Sequence, residues 1–107
     1  MAIKRKEKRR LLQTAALLMR ANERVFMGFG QNTEEVMIDA LSQSQETALL
    51  LGTELENTGK ADLVPLLETY CEDLYVMSQN LHSKKQMAKL YKKIKKELKL
   101  LYDHIEN

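Results

Sequence analysis

The chain has few of the residues that interrupt helices or cross-link a fold. Pro65 is its only proline, Cys71 its only cysteine, and glycine occurs four times in 107 residues. A single cysteine cannot close an internal disulfide, so nothing points to an oxidising compartment. With proline and glycine scarce and Leu, Lys, Glu, Ala, Gln and Met abundant, the composition favours an all-α fold.

Long apolar runs are also absent. A membrane span needs about 18 consecutive apolar residues, and the sequence has no such run. The basic start and the apolar stretch 11–19 superficially suggest a signal peptide, but the stretch contains Gln13 and Thr14 and leads into Arg20 instead of a cleavage-like region. We therefore expect a soluble, cytoplasmic protein whose basic first helix is also suited to lie on an anionic surface.

Length and composition predict one folded unit. The chain has 107 residues, 44% apolar and 30% charged, which is the common size of a single domain and is not the composition of a disordered chain. We expect one helical-bundle domain over residues 1–107.

The charge is divided into blocks that the formal net charge of +2 conceals. Residues 1–10 carry six basic residues against Glu7, and residues 84–99 carry eight lysines against Glu97. Between them, residues 22–83 carry eleven carboxylates against Arg24 and Lys60. The pattern bears on packing and on partners, but it names no reaction.

Apolar spacing predicts the first two helices. The first covers about 3–27 and stops at Gly28, Phe29 and Gly30, where a left-handed glycine can end a helix. Asn32 or Thr33 then caps the second, with Glu34 and Glu35 in its first turn. Gly52 suggests the close approach of a neighbouring helix, and residues 57–59 end the second helix. Its expected buried residues are Met37, Ile38, Leu41, Ala48, Leu51, Leu55 and either Ser44 or Gln45.

The third and fourth helices are predicted from two regular stripes that are out of phase. Asp62 is a candidate cap for the third helix and Pro65 fits its first turn. A continuous helix beyond Leu81 would bury lysine, and Ser83 followed by Gln86 fits a capping box that starts a new helix. We expect an antiparallel up-down four-helix bundle. The alternative is a dimer with three helices, the third long and continuous. The two stripes are Leu63, Leu67, Tyr70 or Cys71, Leu74, Met77 and Leu81, and then Met87, Leu90, Tyr91, Ile94, Leu98, Leu101 and Ile105.

Two polar positions fall within apolar stripes. One is Asn22 of the first helix, and the other is either Ser44 or Gln45 of the second. Antiparallel packing would bring their levels together. A buried hydrogen-bonded pair there would fix helix register, as polar core residues do in some coiled coils. Lining of a small cavity and partial exposure at a stripe edge are the alternatives.

The basic runs are candidates for contact with nucleic acid or an anionic surface, because lysine and arginine bind phosphates and release counterions. The lysines of the fourth helix avoid its apolar stripe, so the same pattern also fits a solvated face or one paired with the acidic middle. No helix-turn-helix signature or aromatic stacking motif accompanies them. The candidate anion-contacting residues are Lys4, Arg5, Lys6, Lys8, Arg9, Arg10, Lys84, Lys85, Lys89, Lys92, Lys93 and Lys96.

Metal and catalytic patterns are not found. Di-iron bundles use Glu-x-x-His pairs, but Gln79 precedes His82 and Leu101 precedes His104 at that spacing. Cys71 has no nearby cation to lower its pKa and fits a small core residue better than a nucleophile. We expect no enzyme activity, no cofactor and no metal.

His82 resembles, in its setting beside Lys84 and Lys85, the single histidine of histidine-containing phosphotransfer domains, which are four-helix bundles. Its expected place at a helix junction and the lack of a following glycine depart from that family. A phosphotransfer role through His82 is therefore a minor alternative.

Residues 45–56 and 66–75 (QETALLLGTELE and LLETYCEDLY) resemble a helical segment of uncharacterised bacterial proteins, which in some of them precedes a larger domain. The resemblance covers about 30 residues and implies a bacterial, all-helical interaction module without a transferable activity. We expect a protein-interaction or assembly module that self-associates or docks on an effector, with charged rims setting orientation. Its candidate contact residues are Leu12, Phe26, Leu50, Tyr75, Leu100 and Tyr102.

Overall fold

A computed structural model describes residues 4–29 and 34–107. Four α-helices follow one another as α1 (Arg5–Phe29), α2 (Glu34–Asn57), α3 (Val64–Ser78) and α4 (Lys84–Glu106), with a 3-10 turn at Ala61–Leu63 before α3. The described residues contain no strand, and none of their helices is long and apolar enough to cross a membrane.

The helices form an antiparallel four-helix bundle, as the sequence predicts. The helix α1 packs against α2 and α4, and α3 packs against the same two helices. Contacts between Thr14 and Glu54 and between Arg24 and Gln43 run in opposite chain directions, so α1 and α2 are antiparallel. The bundle is a rod of 46 × 19 × 16 Å. Large buried apolar side chains fill its centre, among them Leu11, Leu18, Leu51, Leu55, Leu74, Met77, Met87, Ile94 and Leu101.

The break between the third and fourth helices is confirmed, and the continuous-helix alternative is wrong. Helix α3 ends at Ser78, and α4 begins after Ser83, whose side chain accepts a hydrogen bond from the Gln86 backbone N–H at 3.3 Å. Helix α3 has only 15 residues because short polar side chains compete for its last carbonyls. Asn80, for example, donates its side-chain N–H to the Val76 carbonyl at 2.7 Å.

Two predictions about helix ends hold and one does not. Helix α2 ends at Asn57, followed by Gly59 at φ 78°, a left-handed conformation that glycine adopts without steric cost. Pro65 lies in the first turn of α3 as expected. Asp62 does not cap α3, because the 3-10 turn places Leu63 at the cap position without a side-chain hydrogen bond. The candidate caps Asn32 and Thr33, together with Gly30, lie outside the described residues.

Two burial predictions are wrong. Ile38 is 48% exposed, because the core side of α2 runs through Met37, Ala40 and Leu41 instead. Cys71 is exposed, while its neighbour Tyr70 occupies the core. In both cases the buried residue is the immediate neighbour of the one predicted. Apolar spacing does not distinguish two adjacent apolar residues.

Candidate functional site

The basic cluster at the start of α1 is divided between two sides of the bundle. Arg5, Lys8 and Arg9 line a groove of about 360 Å³ beside Tyr102 of α4, and no carboxylate lines it. One helical face away, Lys6 and Arg10 line a groove with Glu54 and Asn57 of α2. Lys4 is exposed ahead of the helix. Two residues of the cluster therefore face acidic α2, and three face outward beside α4.

The lysines of α4 mostly point into solvent. Within the described ranges, the only ion pair between a lysine or arginine and a carboxylate of another helix is Lys93 Nζ to Asp73 Oδ1 at 3.0 Å. Lys99 pairs with Asp103 of its own helix at 3.5 Å. Of the two alternatives for this basic run, the described residues favour a solvated face over one paired with the acidic middle. The remaining candidate lysines of this helix are exposed: Lys84, Lys85, Lys89, Lys92 and Lys96.

The bundle is divided into halves of opposite charge. Helix α1 has seven basic and two acidic residues and α4 has eight and three, which gives a formal +10 for this pair. Helix α2 has six acidic residues, and the 3-10 turn with α3 has four; neither segment has a basic residue, which gives −10. Because α1 packs on α4 and α2 packs on α3, the opposite charges occupy opposite sides of the rod.

We define the acidic face as the outward side of α2 and α3 and the basic face as the outward side of α1 and α4. Exposed carboxylates on the acidic face include Glu35, Glu56, Glu68 and Glu72. Exposed cations on the basic face include Arg5, Arg9, Lys92, Lys95, Lys96 and Lys99.

Exposed apolar side chains are concentrated in the acidic half. Helices α2 and α3 carry six of the nine large exposed apolar residues in the described part of the chain. Leu49 is 74% exposed and Tyr75 is 63% exposed. Leu49 precedes by one turn Gly52, where an added Cβ would lie 3.4 Å from Leu67 of α3, so Leu49 lies on the α3 side of α2. The other four are Val36, Ile38, Leu50 and Val76.

The six candidate partner-contacting residues separate into two groups. Leu50, Tyr75 and Leu100 are exposed. The other three are half-buried in the seam between α1 and α4: Leu12, Phe26 and Tyr102. The Phe26 ring stacks on Tyr91 with centroids 4.3 Å apart, and Lys95 Nζ lies 5.9 Å from the Tyr91 centroid. The basic face therefore has partly buried aromatic rings among its cations.

The predicted polar position in the core exists and involves a third residue. Asn22 is 3% exposed and its Nδ2 donates to the Tyr70 hydroxyl at 2.6 Å and to the Leu18 carbonyl at 3.0 Å. Ser44 is fully buried, donates to the Ala40 carbonyl at 2.9 Å, and lies close enough to Tyr70 to act on its pKa. Burial raises the pKa of the Tyr70 hydroxyl, which these neighbours only partly oppose. This cluster links α1, α2 and α3, and Gln45 is exposed.

A second polar cluster, Asp73, Lys93 and Glu97, joins α3 to α4. Burial, and next to it the neighbouring Asp73 carboxyl, raise the pKa of the Glu97 carboxyl to about 7. Asp73 Oδ2 and Glu97 Oε1 are buried and find no donor among the described residues. A proton shared between the two carboxyl groups satisfies both oxygens, since two adjacent carboxylates cannot readily both ionise.

Cys71 and His82 are the remaining reactive side chains that the sequence singled out. Partial burial raises the pKa of the Cys71 thiol and the Glu68 carboxylate raises it further, which disfavours the thiolate. His82 is exposed in the turn before α4, and its Nε2 lies 3.8 Å from a Glu34 carboxylate, which would repel a phosphoryl group. The described residues contain no group of three or more His, Cys, Asp or Glu side chains that could hold a metal ion.

Sequence reasoning missed Leu49, Tyr70 as a polar partner, and the Asp73–Glu97 pair. One signal pointed to the last of these, because Glu97 is the only acidic residue among the lysines of residues 84–99. Its partner could not be identified from sequence, since Asp73 lies at the edge of the α3 apolar stripe.

Comparisons with protein-family models, with curated proteins and with solved structures give no match to this chain.

Proposed function

We propose that this chain is a non-enzymatic protein-interaction module that docks on protein partners through its charged faces. The observation that carries the proposal is the exposure of Leu49 and Tyr75 on the acidic face, at 74% and 63%. Large apolar side chains ringed by charge are typical of docking surfaces.

In this mechanism, apolar side chains at the centre of the docking surface lose water on binding, and charged side chains at its rim orient the partner. Burial of Leu49 and Tyr75 against a partner would supply apolar contact, at about 25 cal/mol per Å² removed from water. Glu56, Glu68 and Glu72 around them would select a basic partner surface and speed its approach.

Site-specific photo-crosslinking tests this function in the cell that makes the chain. A photoreactive side chain at position 75 is expected to give a discrete covalent adduct with a protein. The control is the same side chain at position 17, which is exposed in the groove between α1 and α2 and is expected to give only random surface labelling. A pattern at position 75 that does not differ from random surface labelling would contradict the proposal.

The charge of the basic half favours a second candidate, binding to nucleic acid or an anionic surface. Such binding depends on counterion release and is strongest at low salt. A salt titration with nonspecific DNA and RNA tests it. Absence of binding at low ionic strength would remove this candidate, whereas it would leave the protein-interaction proposal intact.

A further inference from the structure

We propose that the partner of each face is the opposite face of a second copy of this chain, so that copies associate through unlike faces. This inference rests on the proposed function and identifies its partner. The charges of +10 on α1 with α4 and −10 on α2 with α3 make one molecule complementary to the next.

The charges are available for such contact because they are scarcely used within the molecule. Lys93 with Asp73 is the one lysine or arginine ion pair between the halves in the described residues. Most of the other charged side chains are exposed. The apolar contribution is also complementary, since exposed Leu49 and Tyr75 lie on the acidic face and the half-buried rings Phe26, Tyr91 and Tyr102 lie on the basic face.

The size of the faces suits a stable contact. A long side of the rod measures 46 Å by 16 to 19 Å. Its area of roughly 700 to 900 Å² is close to the about 800 Å² that each partner contributes to a specific interface of standard size. Partial coverage or slipped register would give a weaker, concentration-dependent association.

The placement of the faces determines the symmetry. Like faces repel, so a symmetric dimer through either charged face is disfavoured. The acidic and basic faces lie on opposite sides of the rod. When the acidic face of one copy contacts the basic face of another, the pair still exposes one basic face and one acidic face. Such a heterologous contact continues to further copies, as a ring if the rotation closes and as a filament if it does not.

Sedimentation of matched variants tests the inference. One variant neutralises the basic face with Arg9→Gln, Lys92→Gln and Lys96→Gln; another neutralises the acidic face with Glu56→Gln, Glu68→Gln and Glu72→Gln. The control is Lys6→Gln, Arg10→Gln and Arg24→Gln. It lowers the net charge by the same amount as the basic-face variant, but on the side of α1 that faces α2. Circular dichroism verifies that each variant folds.

At about 20 mM salt, where screening is weak, the wild type is expected to exceed twice its 12.4 kDa mass as concentration rises. At about 0.5 M salt it should return to the monomer mass. Each face variant alone should associate about tenfold more weakly, and the control within about twofold of wild type. A mixture of the two face variants should regain association but stop at a dimer, because only one functional contact remains.

A strict monomer at every concentration in low salt would overturn self-association. So would a wild type that stops at a dimer, or a mixture that does not regain association. If the position 75 adduct then contains a different protein, the interaction module stands with a foreign partner. If neither self-association nor a specific adduct is found, the proposed function fails as well.

Discussion

The Tyr70 hydroxyl is the residue-scale feature that ties three helices together. It accepts the Asn22 amide hydrogen at 2.6 Å in a core otherwise filled by apolar side chains. The sequence indicated Asn22 and either Ser44 or Gln45, since these positions interrupt apolar stripes. It could not choose between Tyr70 and Cys71, because both fit helical spacing and only the packing of α2 on α3 decides which side chain is buried.

Tyr70→Phe should destabilise the bundle by about 1 to 2 kcal/mol, because it leaves the buried Asn22 amide with one acceptor fewer. Urea unfolding measures the change. Tyr75→Phe is the matched control and should have no effect on the free energy of unfolding, since Tyr75 is exposed. Equal effects of the two substitutions would show that the Tyr70 hydrogen bond contributes nothing to stability.

The raised pKa of Glu97 makes stability depend on pH. Between its ordinary value near 4.5 and about 7, folded Glu97 holds a proton that the unfolded chain has released. Stability from this group therefore falls as pH rises through that window. Glu97→Gln cannot ionise, so it should stabilise the protein at pH above 7 by about 1 to 2 kcal/mol, a figure reduced for the partial exposure of Glu97.

Thermal unfolding of both proteins across this pH range checks the effect. The difference between wild type and Glu97→Gln should widen as pH rises. Glu106→Gln, at the exposed end of the same helix, is the control and should leave the pH dependence unchanged. A difference that does not vary with pH would contradict a raised pKa.

At the scale of helices, the sequence predicted which helices exist better than where they end. The break before α4 was predicted correctly because the apolar stripes of the third and fourth helices are out of phase. A continuous helix would have buried Lys84 or Lys85. The apolar stripe of the third helix continues to Leu81, but α3 ends at Ser78. Asn80 bonds to the backbone carbonyl of Val76, a local competition that apolar spacing does not register.

Two glycines in α2 and the loop after it should respond in opposite directions to alanine. At Gly52 the added Cβ would meet only Leu67 Cδ2 at 3.4 Å, so Gly52→Ala should stabilise by up to about 1 kcal/mol through helix propensity. At Gly59 the φ of 78° strains any Cβ, so Gly59→Ala should destabilise by about 1 to 2 kcal/mol.

Chemical denaturation measures the free energy of unfolding of the two variants and tests both predictions. Destabilisation by Gly52→Ala would mean that α2 and α3 approach more closely than Leu67 can accommodate. An unchanged free energy of unfolding in Gly59→Ala would mean that the left-handed turn is not required to end α2.

At the scale of the whole molecule, the charge blocks were visible in the sequence but their arrangement was not. Short connections predicted that consecutive helices are neighbours. The decisive contact is that of the first helix with the last, which joins two basic helices into one face and leaves the two acidic helices to form the other. This arrangement explains why few charges pair internally and gives each side of the rod a single sign.

Backbone amide shifts recorded by NMR during dilution at low salt test the central claim most directly. If copies associate through unlike faces, shifts should move together at Leu49, Glu68, Glu72 and Tyr75 on the acidic face and at Arg9, Lys92 and Lys96 on the basic face. Core amides such as that of Leu51 should stay unchanged, and about 0.5 M salt should abolish the changes. Shifts confined to one face, or none on either, would contradict the account.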